Sequence, residues 1–302
     1  METKKDGKRH GKQRYACKKC KHIFQNKSRE KQKKSLWSQY ISQRQTYRDL
    51  AQSRHKTIKW VKKKLDQCIV PVKKNIPGET ILVIDTTYFG RGFGVMVFRC
   101  ALRKINLYWK FLPWETTAEY VTGVRHLEQQ GWIVRGIVCD GRRGLFEAFP
   151  GIPTQMCQFH QVQIVTRYIT RHPKLEAGKS LRNLILLLTK TDKESFSFWL
   201  GQWHMTWKNF LNEKVYDPEK KKNRYLHRKL RSAYRSLKTN LPYLFTFYDH
   251  PEISLPNTTN ILDGHFSIIK EKTSIHRGVT RQRKMKIIDA LLSLERPHKK
   301  DH

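Results

Sequence analysis

Residues 81–90 read ILVIDTTYFG, four apolar side chains that run directly into Asp85. A continuous, β-branched-rich run of this length predicts a strand buried on both faces. A carboxylate at the end of such a strand is costly unless something compensates its charge. Two readings fit these ten residues. Asp85 either closes the strand and opens a turn with Thr86, Thr87 and Gly90, or it serves as an oxygen ligand for a divalent cation.

The following residues repeat the pattern. GFGVMVFRCALRK (92–104) and NLYWKFLPW (106–114) predict two more strands, joined by connections short enough for antiparallel hairpins. TTAEYVTGVRHLEQQ (116–130) predicts a helix capped by Thr116 or Thr117 with Glu119 in its first turn. WIVRGIVCDGRRG (132–144) then delivers a second buried run that ends in an aspartate, Asp140. A short helix over 145–149 and a strand over 153–160 leading into a helix complete the pattern. Three antiparallel strands, a helix, and further strands alternating with helices is the element order of an α/β, ribonuclease-H-like mixed sheet. There the first and fourth strands are neighbours, so Asp85 and Asp140 stand side by side. Two divalent cations about 3.5–4 Å apart would offset their repulsion and support phosphodiester chemistry.

Charge points to the same class of substrate. The chain of 302 residues carries 61 Lys and Arg against 25 Asp and Glu, a net charge of +36. That excess predicts a polyanionic partner, with double-stranded DNA foremost. It is uneven: +19 over residues 1–74, +3 over 75–170 and +14 over 171–302, so a near-neutral block holding the acids lies between two basic ones. No apolar run approaches the roughly 18 residues that would argue for a membrane span. The basic N-terminus has no secretory pattern, and six scattered cysteines do not form a disulfide framework. Both features predict a cytoplasmic, nucleoid-associated protein.

The N-terminal quarter divides into a basic arm (1–34), a helix-turn-helix (35–70) and a linker (71–79) holding Pro71, Pro77 and Gly78. Cys17 and Cys20 form one C-x2-C pair, half of what tetrahedral Zn2+ requires. His10 and His22 do not complete a familiar spacing, so free thiols remain the other reading. TYRDLAQ followed by SRHKTIKWVKKKLD predicts helix, turn, helix, with Thr57 near the N-cap of the second. Lys59, Trp60, Lys62, Lys63 and Lys64 give that helix the composition of a major-groove reader. A basic hairpin packed on the rest of the chain would look the same.

Beyond 174 the sequence predicts a largely helical stretch to about 250. Trp199, Trp203 and Trp207 recur at i, i+4 and i+8, as a core stripe or a platform for unpaired bases. KKKNRYLHRKLRSAYRSLK (220–238) predicts one basic helix, for phosphate contact or simply solvated.

With these pieces in order, the chain resembles the Mutator-type bacterial insertion-sequence transposases. The resemblance rests on IDTTYFG, CDGRRG, CQFHQ (157–161) and NTTNILDGHFSIIKEKTSIHRG, and it runs from about residue 8 to the C-terminus. GKQRYACKKC resembles the second half of the zinc ribbons that open many such proteins, and a start inside a longer reading frame would explain the missing half. The resemblance implies a catalytic domain over 80–302 with a helical insertion at about 174–250, an acidic triad holding two Mg2+ or Mn2+, and Cys157 and His160 near the active site; too few to close a zinc site, they read as placing groups, with a simply packed Cys157 as the other reading. The family's third acid is a glutamate; here Asp263 stands in its place, with a carboxylate about 1–1.5 Å further back. Glu271, about 80° further round the helix, is a poor substitute. Asn260 is expected to cap that helix and His265 to be structural or near DNA. The implied activity is binding of terminal inverted repeats, strand cleavage and strand transfer by at least a homodimer. The alternatives are a non-cutting copy that only binds DNA, and a nuclease that cleaves without joining.

Overall fold

The computed structural model describes residues 2–9, 12–25, 35–70, 75–142, 144–219, 221–276 and 278–294. The sequence expectations for His10, for residues 71–74 of the linker, and for Arg143, Lys220 and Arg277 lie outside them. The chain divides into two compact units, Met1–Ile69 and Val70–His302.

In the first unit, β1 (Thr3–Arg9), β2 (Lys12–Cys17) and β3 (Ile23–Gln25) form an antiparallel sheet within the stretch expected to be a basic arm with half of a zinc ribbon. Three helices follow: α1 (Leu36–Ser42), α2 (Tyr47–Ser53) and α3 (Ile58–Gln67). Their apolar stripes supply Tyr40, Ile41, Leu50, Val61 and Leu65, all 3 % exposed or less. Thr46 and Asp49 exchange hydrogen bonds as a capping box at the start of α2, and the Thr57 hydroxyl accepts from the Trp60 amide at the start of α3.

The second unit is built on β4 (Glu79–Tyr88), β5 (Gly94–Cys100) and β6 (Asn106–Leu112), joined antiparallel in sequence order. Helix α4 (Thr117–Gln129) crosses over to β7 (Ile133–Cys139), which runs parallel to β4, and β8 (Thr154–Met156) extends the parallel side. The sheet order is β6-β5-β4-β7-β8, an α/β arrangement with a mixed sheet and β4 at its centre. Ile81, Leu82, Val83 and Ile84 are all 3 % exposed or less, as the apolar run requires. The strand does not stop at Asp85. It continues to Tyr88 because β5 pairs with it residue for residue, Asp85 opposite Val97 and Tyr88 opposite Gly94. The helix predicted over 145–149 does not form. These residues make turns, and Leu145 and Phe149 drop into the core beneath α4.

Helices α5 (Gln158–Ile169), α6 (Glu176–Leu186) and α7 (Lys193–Asn212) lead to a hairpin of β9 (Lys214–Asp217) and β10 (Lys222–Tyr225), then α8 (Arg228–Leu244) and α9 (Thr246–Asp249). One apolar cluster joins α5, α6, α7 and α8. Glutamines on the sheet side tie it down: Gln155 and Gln158 both donate to the Leu244 carbonyl, at 2.9 and 3.0 Å. The tryptophans do not form one exposed platform. Trp203 is buried and donates to the Ala177 carbonyl, Trp207 packs against the cluster, and Trp199 stays 40 % exposed. The run 220–238 is not one helix either. Lys222–Tyr225 pair with β9, and Arg231 lies 3.6 Å over the Tyr225 ring while donating to the Leu211 carbonyl.

Helices α10 (Asn260–Ile275) and α11 (Arg281–Ser293) return to the sheet. A buried polar relay anchors them. Arg99 donates to Asn106 at 2.7 Å, and the Asn106 amide reaches both His265 Nε2 and the Leu292 carbonyl. His265 is therefore a packing residue. Among the described residues no helix is long and apolar enough to cross a membrane.

Gly123 is where α4 meets the sheet: a Cβ there would lie 2.0 Å from Phe98 Cζ, on a ring with no exposure. We expect Gly123→Ala to lower stability by about 1–3 kcal/mol, because overpacking outweighs the helix propensity gained by removing a glycine. Urea unfolding monitored by circular dichroism should report a lower midpoint with an unchanged slope.

Candidate active site at the end of the central strands

The parallel pairing of β4 with β7 sets Val83 opposite Val138, so Asp85 and Asp140, each two residues on, leave the pair at the same end. Asp140 lies just past the end of β7, where its Oδ1 accepts the Arg142 amide at 3.1 Å. The first turn of α10 carries Asp263 towards Asp85, and the first turn of α5 brings His160 beside them. Ligand atoms of Asp85, His160 and Asp263 all lie within 4.8 Å of one another. The shorter side chain of Asp263 still reaches the cluster.

The charges are mutually strained. Burial pushes the Asp85 carboxyl up to about 7; the negative charges of Asp140 and Asp263 add to the push, and His160 and the Thr86 amide oppose it. The hydrogen bond to Cys157 lifts His160 to about 9 against burial, reinforced by the charges of Asp85 and Asp263. Burial alone raises the Cys157 thiol, but the bonds from His160 and Thr259 outweigh it and hold it below the usual thiol range. A protonated imidazole donates rather than ligates. In that state His160 neutralises the carboxylates beside it instead of joining their ligand set.

Thr259 is the hub that the sequence did not reveal. It occupies the N-cap position of α10, one residue before the expected Asn260, and makes no side-chain cap. Its Oγ1 lies 3.3 Å from Cys157 Sγ, 3.2 Å from Asp263 Oδ2 and 3.4 Å from His160 Nδ1, and its amide donates to Cys157 Sγ at 3.3 Å. Cys157 is thus a placing group at the junction of β8 and α5. A second chain of contacts was equally hidden. The Thr86 hydroxyl lies 2.9 Å from the Tyr120 hydroxyl, which donates to Glu115 Oε1 at 2.9 Å. Arg142 closes the loop by donating to the Glu115 carbonyl at 2.7 Å. Burial, then the charge of Asp140, raise the Glu115 carboxyl, so a fourth acid borders the site. Glu115 stands just before a helix cap, and nothing in PWETTAEY marks it out.

The clustered carboxylates suit a hard divalent cation: two Asp oxygens within 4.8 Å, a third Asp adjoining, and burial that penalises the unpaired charge of Asp85. Zinc is a different case. Cys17 and Cys20 share a knuckle in which the Cys20 and then the Lys19 amide lower the Cys17 thiol, as a thiolate ligand would need. Among the described residues, however, no third ligating side chain joins them, and a closed four-ligand site is not assembled.

On α3, Lys59, Lys63 and Lys64 are exposed. Lys62 is partly covered, with Nζ 5.4 Å from the Tyr47 ring centre, and Trp60 lines a hollow with Gln52, His55 and Lys56. The Thr57 hydroxyl is engaged by its cap.

No family model matches the chain, and no curated protein matches it.

Because Asp85 titrates higher in the folded protein than the ordinary 3.8, the folded state binds more protons between about pH 4 and 7, and stability falls as pH rises through that window. We expect Asp85→Asn to raise the melting temperature at pH 8 in chelator, a gain of order 1–3 kcal/mol that shrinks as pH approaches 4. The same substitution should abolish any Mn2+-dependent rise in melting temperature seen with the unmodified chain.

Proposed function

We propose that the chain is a DNA transposase of the DDE type, with a ribonuclease-H-like catalytic domain and a helical insertion. The observation that carries this reading is the convergence of Asp85, Asp140 and Asp263 from three separate elements at one end of the sheet. The strand order β6-β5-β4-β7-β8 supports the fold, and the helices between β8 and α10 fit the position of an insertion. The charge of +36 supports DNA as substrate, and the helical segment with exposed Lys59 and Lys63 supports end recognition.

In this reading the three aspartates hold two Mg2+ or Mn2+ ions. Ions so held supply Lewis acidity at a phosphodiester and an activated nucleophile. The residues of the chain do the positioning. Thr259 fixes Cys157, His160 and Asp263 relative to one another. His160, kept cationic by Cys157, offers a donor to a phosphate oxygen, while Arg142 holds the loop after Asp140 against Glu115. Cleavage at both ends of an element, followed by joining to target DNA, implies at least a homodimer working on the nucleoid.

The departure at Asp263 favours one second reading, a copy that binds DNA without cutting it. Incubating the full chain with end-sequence DNA and Mg2+ or Mn2+ separates the two. Joined product is expected, and Asp85→Ala, Asp140→Ala and Asp263→Ala should each lower it by at least about 100-fold, with DNA binding retained. Binding with neither cleavage nor joining would leave the non-cutting reading, and cleavage without joining would indicate a nuclease.

A further inference from the structure

Helix α5 begins at the site with Phe159 and His160 and runs on to Ile169. Its outer stripe, from Phe159 through Thr166 and Arg167, faces Arg182 and Leu186 of α6 across an open groove of about 760 Å³, which ends at Arg171. The groove carries three arginines and no acid. Arg182 donates to Thr166 Oγ1 at 2.8 Å, which holds one guanidinium in place with donors to spare. Among the described residues neither Arg167 nor Arg171 makes an ion pair, and both are exposed. Phe159, 43 % exposed, stands at the end beside His160, and Leu186 is 47 % exposed.

Unpaired guanidiniums interleaved with exposed apolar surface suit a chain of phosphates and bases. From Phe159 to Ile169 the helix rises about 15 Å, which corresponds to about four nucleotide steps at 3.4 Å each. We propose that this groove binds one strand of the DNA next to the phosphodiester at the acid cluster, with Arg167, Arg171 and Arg182 on its phosphates and Phe159 against the base nearest the reaction. The proposal deepens the transposase reading and rests on it for the identity of the strand. An acidic protein segment is the other polyanion the groove would take.

Two measurements on the full chain test it. The first is fluorescence anisotropy with a 30-base-pair end-sequence duplex over a series of NaCl concentrations. Arg167→Ala with Arg171→Ala should weaken binding by about tenfold or more and reduce the salt slope by about 2, since each neutralised phosphate contributes about 0.9. The charge-matched pair Lys104→Ala with Arg125→Ala should change the slope by less than half as much. The second places a photo-crosslinking phenylalanine at position 159. DNA is expected to be trapped there, and far less at position 199, where Trp199 is also exposed. Equal slopes for the two pairs, or crosslinks at 159 to protein but not DNA, would overturn the proposal. In an Asp85→Ala background the crosslink should persist. A crosslink without any cutting by the unmodified chain therefore sinks the transposase reading and leaves the groove as a DNA site.

Discussion

Repulsion among carboxylates is the constraint around which this fold is arranged. Three aspartates on β4, after β7 and on α10 share one end of a sheet, in surroundings dry enough to lift Asp85 to about 7. No packing force draws like charges together. They are brought there by rigid supports: the parallel pairing of β4 with β7, and the buried relay from Arg99 through Asn106 to His265 and the Leu292 carbonyl. Stability invested in the apolar sheet is spent on holding an unfavourable electrostatic arrangement, as functional sites commonly require.

Polar groups handle the strain locally. His160 provides a positive charge, Cys157 keeps it positive, and Thr259 fixes both against Asp263. On the other side Thr86, Tyr120, Glu115 and Arg142 form a rim that joins the strand bearing Asp85 to the loop after Asp140. The two networks approach the carboxylates from opposite flanks of the sequence, one from α5 and α10, the other from β4 and α4.

What could be read from the residues alone follows from how local each signal is. Asp85 and Asp140 were legible because each ends an apolar run, and strand order makes the runs neighbours. Asp263 was legible only through the motif around it, since no periodicity links it to the sheet. Thr259 and Glu115 were not legible, because their roles depend on contacts such as the one between Thr259 and Cys157, 102 residues apart. LFEAF imitates a helix because Leu145 and Phe149 are spaced by four, yet both are drawn into the core from turns. The basic run from 220 misleads for a related reason: a row of lysines and arginines does not distinguish a solvated hairpin from a solvated helix.

The bond between Thr259 and Cys157 also makes the acid trio depend on parts of the chain that lie far apart in sequence. Asp85 on β4 and Asp140 just past β7 come early in the second unit, but the third acid is held by a hydroxyl 102 residues downstream of the sulfur that the same hydroxyl contacts. A nascent or broken chain that ends before α10 carries a basic surface and two aspartates, but not the assembled trio.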